Sequence, residues 1–200
     1  MLALAIGLPL GAWTARSSIE ADVGVGAIRV GEWSAWPLEG SPEADPYTKA
    51  RVAARGSVPL GVGEGVAFHA IRDADGVPLD RRCNYHVVGR TPKARVWTLT
   101  AHEGGDDTTG AALMRPDGRF AALTSRDLVR KEDASFSIAV GPTPTAGDWI
   151  PLPMQPPVRA PEANPLPLRL ALRFYDSPVG TSAELIEPTM PRVERTGCAS

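Results

Sequence analysis

The chain of 200 residues has two cysteines, three histidines and no run of Lys or Arg long enough to follow a phosphate backbone. Each shortage excludes something. With a formal charge of -2 and no basic stripe, nucleic acid is not an expected partner. The densest basic stretch, Arg126 to Lys131, is diluted by Asp127 and followed by Glu132 and Asp133, which reads as a solvated helix end. No HxH, HExxH or CxxC spacing occurs, so neither a metal nor another cofactor is expected. No GxSxG turn carries a serine nucleophile, and Gly61-x-Gly63-x-Gly65 lacks the GK[ST] ending of a phosphate loop. That glycine run reads instead as a place where backbone segments approach closely.

Long apolar runs are also missing. The uncharged stretch Leu2 to Trp13 would cover only about 18 Å as a helix, against a hydrocarbon core of about 30 Å. Its length fits the apolar part of a secretory leader, but no basic stretch precedes it, which suggests a truncated start, and no clean small-x-small cleavage site follows it. Residues 1–16 are therefore read as an uncleaved export anchor that holds the remainder on the outer, periplasmic face of a bacterial inner membrane. A buried amino-terminal strand or helix is the alternative. The cysteines suit the same compartment, because a disulfide persists where the surroundings oxidise. Joining Cys83 to Cys198 would tie down a Pro-rich tail, and two unrelated thiols are the other reading.

Apolar residues at 43% and charged residues at 22% give the balance of a folded globular chain, with room for one domain, taken as residues 23–198. Twenty Gly and twenty Pro are too many for long helices. Asp45-Pro46 makes an N-cap followed by Pro at the first helical position, and predicts one short helix near 45–55, closed by Gly56. Elsewhere the period is two. Strands are predicted over Val23–Trp36, Gly65–Ile71, Cys83–Val88, Arg95–His102, Phe120–Leu123, Ser135–Val140 and Leu168–Tyr175, with a hairpin turn at Asp73-Ala74-Asp75-Gly76. Ser125 to Lys131 could make one or two helical turns, Glu103–Gly110 reads as loop, and 142–167 is too Pro-rich to pair except at an edge. The fold class expected is mostly β, a β-sandwich or jelly-roll-like barrel.

Several segments together resemble one family. Gly40-Ser41 through Asp45-Pro46-Tyr47-Thr48-Lys49-Ala50, the stretch Asp73-x-Asp75-Gly76-x-Pro78-Leu79-Asp80-x-x-Cys83-x-Tyr85, Ala94-Arg95-x-Trp97-Thr98-Leu99-Thr100, Asp148-Trp149-Ile150-Pro151 and Leu170 to Tyr175 are similar to the bacterial domain-of-unknown-function 1214 family. The resemblance implies a β-rich sandwich and an exported, anchored protein. It also implies a partner carrying the related domain of unknown function 1254. His102 departs from the pattern where Tyr is commoner, and Asp148 where Asn is usual.

Candidate site residues follow from their chemistry. Trp33, Trp36, Tyr47, Tyr85, Trp97, Trp149 and Tyr175, with Arg95 and Arg173, are residue types that line apolar pockets, but alternation places Trp97 and Tyr85 in strands where burial is expected, so core packing is the favoured reading. Tyr85, Trp97 and Arg95 are the candidates for a cleft wall. His69 and His86 lie on predicted neighbouring strands and would join them in a His/Tyr/Arg cleft. The acids Asp73, Asp75 and Asp80, and Glu103, Asp106 and Asp107, read as solvated turns. The expected role is a non-catalytic envelope module that binds a partner protein or a small apolar ligand through an aromatic face, with an enzyme of a small envelope or imported molecule as the alternative.

Overall fold

Alternating burial is the dominant pattern in the computed structural model, which describes residues 2–20, 26–55, 58–61, 63–104, 110–153, 166–177 and 189–198. Two helices, α1 (Leu2–Glu20) and α2 (Pro46–Arg55), accompany ten strands among the described residues. These are β1 (Ile28–Val30), β2 (Trp33–Ala35), β3 (Gly65–Ala70), β4 (Cys83–Gly89), β5 (Val96–Glu103), β6 (Ala122–Thr124), β7 (Phe136–Gly141), β8 (Trp149–Pro151), β9 (Leu168–Tyr175) and β10 (Arg192–Cys198). Six form one sheet in the order β1-β2-β3-β9-β5-β6, and four form the other, β10-β4-β7-β8. Every pairing is antiparallel except β7 with β8. The Pro-rich β8 sits at an edge, where Pro151 leaves no inner ladder without a donor.

Both sheets feed one hydrophobic core. Val66, Phe68, Trp97, Leu99, Leu170, Leu172 and Phe174 come from the larger sheet, and Tyr85, Val87, Ile138, Val140, Ile150 and Val193 from the smaller. The chain is thus mostly β, as its period-two patterning predicts. Cys83 and Cys198 are register partners on β4 and β10 and form a disulfide. It closes a loop with a sequence separation of 115, worth about 4–5 kcal/mol on the chain-entropy account. The cap of α2 is as expected: Asp45 Oδ1 accepts the Tyr47 and Thr48 amides at 2.9 and 3.1 Å. Gly56, the expected terminator, lies outside the described residues, as do 105–109 and 154–165 of the two expected irregular stretches.

Four expectations need correction. The turn at Asp73–Gly76 exists, with Asp73 N–H donating to the Val77 carbonyl at 2.9 Å, but β3 and β4 do not continue it as a hairpin. They enter different sheets, because the larger sheet pairs β3 with β9. The described part of the segment expected as one strand from Val23 is a two-strand hairpin turned at Gly31-Glu32; its first residues lie outside the described ones. Residues 125–131 are not helical: the Val129 N–H is captured by Asp148 Oδ2 at 2.9 Å. A helical ladder would need that group for itself. Finally, α1 runs past residue 16 to Glu20 and is not a buried element, since Leu4, Ile6, Leu8, Leu10 and Trp13 are all exposed. No helix among the described residues is long and apolar enough to cross a membrane.

Candidate functional site

The larger sheet has a second face, pointing away from the core. Alternation places Ala67 and His69 of β3, Thr98, Thr100 and His102 of β5, and Arg169, Ala171, Arg173 and Tyr175 of β9 on it. Because β9 is inserted between β3 and β5, register sets Arg173 between Ala67 and Thr98, Ala171 between His69 and Thr100, and Arg169 beside His102. The two arginines therefore share one face, about 13 Å apart along the strand.

Two segments wall in this face. Trp36, Pro37 and Glu39 follow β2, and Val58, Pro59 and Leu60 follow α2. Together with Gly65, Ala67, His69, His102, Gly110, Arg169, Arg173 and Tyr175 they enclose a cleft of about 310 Å³. Two glycines permit the close fit: a Cβ at Gly40 would stand 2.0 Å from the Leu60 carbonyl oxygen, and one at Gly65 would stand 1.9 Å from that of Phe174. Trp36 is positioned from behind by Arg51 of α2, whose guanidinium carbon lies 4.5 Å from its ring centre. The same guanidinium donates to the Ile19 and Ser18 carbonyls at 3.1 and 3.0 Å, so the cleft wall is joined to the end of α1. Burial lowers the Arg51 pKa, and the nearby Glu39 and Asp45 oppose that.

His102 is the residue best defined chemically. Its Nδ1 lies 3.3 Å from the Gly110 carbonyl oxygen, which fits a proton on that nitrogen. Nε2 is buried with no hydrogen-bond partner among the described residues. Burial above all, and then the Arg173 charge, pushes its pKa below the ordinary 6.5, so the ring is neutral at neutral pH.

Of the five residues expected to form a cleft, Tyr85, Trp97, Arg95, His69 and His86, only His69 lines this one, whereas Trp36, Tyr175 and Arg173 of the wider aromatic and arginine set do. Tyr85 is wholly buried; its hydroxyl accepts the Asp80 N–H at 2.7 Å and donates to the Asp80 carbonyl at 3.2 Å, and burial raises its pKa. Trp97 packs in the core against Phe136, with ring centres 5.1 Å apart. Arg95 is exposed and meets Asp176 at 3.8 Å, a surface pair of little energetic weight. His86 is on β4 in the other sheet, its Nδ1 3.2 Å from the Ser137 hydroxyl. His69, His86, Tyr85 and Arg95 therefore do not converge.

The acids are more structural than solvated turns would be. Asp73 is 3% exposed, accepts the Asp75 and Val77 amides, and pairs with Arg195 Nε at 2.8 Å. Asp80 pairs with Arg82 at 2.7 Å, and Glu103 with Arg81 at 2.9 Å; Asp106 and Asp107 lie outside the described residues. No group of three or more His, Cys, Asp and Glu is placed to hold a metal ion among the described residues.

Sequence reasoning missed Arg169, and passed over His102 as a departure from the family pattern. The pattern Leu168-Arg-Leu-Ala-Leu-Arg-Phe-Tyr175 carried a usable signal: a strand whose one face is wholly apolar has arginines on the other.

The family model described as "Protein of unknown function (DUF1214)" matches residues 64–178. None of the curated proteins matches the chain. Among solved structures, the VPA0106 protein from Vibrio parahaemolyticus is similar, with a TM-score of 0.55 at 17% identity, over 77% of this chain and 36% of that one. An uncharacterized protein from Burkholderia cenocepacia aligns with a TM-score of 0.40 at 17% identity, over 98% of this chain and 51% of that one. The chain therefore spans well under two thirds of either protein, and the first likeness shows the fold alone.

Proposed function

The chain belongs to the DUF1214 family, and from that premise we propose that its domain is a non-catalytic binding module that receives a small molecule in the cleft on the outer face of the larger sheet. The observation that carries this reading is convergence. Three strands and two flanking segments, distant in sequence, deliver Trp36, Tyr175, His69, His102, Arg169 and Arg173 to one concave space. Apolar walls with a few placed polar groups are the usual make-up of ligand sites of this size. The aromatic face is thus built by Trp36 and Tyr175, in place of the core residues Tyr85 and Trp97.

Heteronuclear NMR with a fragment library tests the reading: shifts are expected to cluster at Ala67, His69, Arg173 and Tyr175. Shifts confined to the other sheet would remove it. The catalytic alternative draws on one observation, the neutral His102, which is in the state a general base requires.

The same proposal includes a location. The exposed Leu4, Ile6, Leu8, Leu10 and Trp13 of α1 are read as a surface that enters the bacterial inner membrane, leaving the disulfide-bonded domain in the periplasm. An envelope protein carrying the domain of unknown function 1254 is the proposed neighbour. Fractionation of cells making the full chain should find it with the membranes and releasable by detergent; recovery in the cytosol with both thiols reduced would overturn the location.

A further inference from the structure

We propose that the occupant of the cleft is a small amphiphilic anion, its carboxylate- or phosphate-type head held by Arg173 in the field of Arg169 and the two imidazoles, and its apolar tail laid along Trp36, Pro59 and Leu60. This rests on the reading that the cleft takes a small molecule, and names the chemistry of that molecule.

The argument begins with charge. Two guanidinium groups and two imidazoles line the cleft, against one carboxylate, Glu39, among the described lining residues. A guanidinium keeps its charge at any ordinary pH, and its fork of donors matches the oxygens of a carboxylate or phosphate. Arg173 is half-buried and has no acidic partner within ion-pair distance among the described residues, unlike Arg81, Arg82 and Arg195 elsewhere in the fold. Arg169, only 6% exposed, holds a second positive charge on the same face, so both reinforce one field. A half-enclosed site screens that field less than open water does.

His102 adds a responsive donor. With Nδ1 directed at the Gly110 carbonyl, the buried Nε2 has no hydrogen-bond partner among the described residues. An anion arriving next to it would offset the two arginines and favour the protonated ring, in which Nε2 also donates.

The remainder of the wall argues for a tail. Trp36, Pro37, Val58, Pro59 and Leu60 are apolar and line the same cleft as the charged groups, whereas a site for a bare inorganic anion would gain nothing from them. The two ends of the cleft thus ask for two ends of one molecule.

Isothermal titration calorimetry of the full chain with octanoate, octanol and acetate tests this. Octanoate should bind at least tenfold tighter than either of the others. Arg173→Gln should abolish the preference over octanol, while Arg173→Lys should keep part of it and report whether position 173 tolerates change. Ala67→Trp, which fills the floor, should block octanoate and octanol alike. Equal binding of octanol and octanoate, or an undiminished preference in a folded Arg173→Gln, would overturn the anion while leaving the cleft reading intact. Acetate binding as tightly as octanoate would overturn the tail. Binding of none of the three, or unchanged binding by Ala67→Trp, would remove the cleft reading and this inference with it.

Discussion

The two faces of β9 share one backbone and divide the work of the domain. Inward, Leu168, Leu170, Leu172 and Phe174 are at most 1% exposed and join both sheets in one core. Outward, Arg169, Ala171, Arg173 and Tyr175 stand on the cleft face, two fixed charges with a small residue between them. The inner face requires apolar volume of about the right shape, because the hydrophobic effect is non-directional. Nothing about burying apolar area requires the outer arrangement. Stability and recognition are therefore expected to be separable at neighbouring residues of one strand.

The sharpest test compares adjacent positions. Phe174→Ala removes an edge-to-face contact with Phe68, whose ring centre lies 5.9 Å away, and should cost about 3–5 kcal/mol in denaturant unfolding. A loss below about 1 kcal/mol would mean that the inner face does not carry the fold. Arg173→Ala, one residue earlier, should change the same unfolding free energy by no more than about 0.5 kcal/mol. Destabilisation rivalling that of Phe174→Ala would erase the distinction between the faces.

The smallest effect expected is pH dependence. The native pKa of His102 lies below its ordinary 6.5, so the unfolded chain takes up a proton first as pH falls. Its contribution to stability should be complete above pH 6.5 and decline as pH drops from 6.5 through the native value. His102→Gln should flatten that part of the profile measured by thermal unfolding. An unaltered slope would place the proton uptake on another group. A bound anion should lessen that decline, since it favours the protonated ring and raises the native pKa, and its own binding should strengthen as pH falls.

Much of the local structure was legible. Strands near 83–88, 95–102, 135–140 and 168–175 follow from strict alternation, and the helix over Pro46–Arg55 from the Asp45 cap. The pairing of Cys83 with Cys198 is the one disulfide that two cysteines allow. Errors arose where side chains outside the segment intervened. Asp148 took the Val129 N–H and unmade an expected helix, and β9 took the partner that a local hairpin would have supplied to β3.

The site was less legible. Tyr85 and Trp97 were wall candidates by chemistry alone; alternation favoured the core for both, and the structure buries them there. His69 lines the proposed cleft next to Ala171 of β9, and not next to His86, which stands in the other sheet. Arg169 and His102 become site residues only when β5 lies against β9, since each is an isolated polar residue on its own strand.

Residue order alone determined the elements, their caps and their apolar faces, because those depend on groups a few positions apart. Tertiary structure alone decided that Ala67, His102 and Arg173 share a hollow. Strands from three remote stretches had to choose one another as neighbours, and that choice is made by the packing energy of the whole core, which no short stretch of chain encodes.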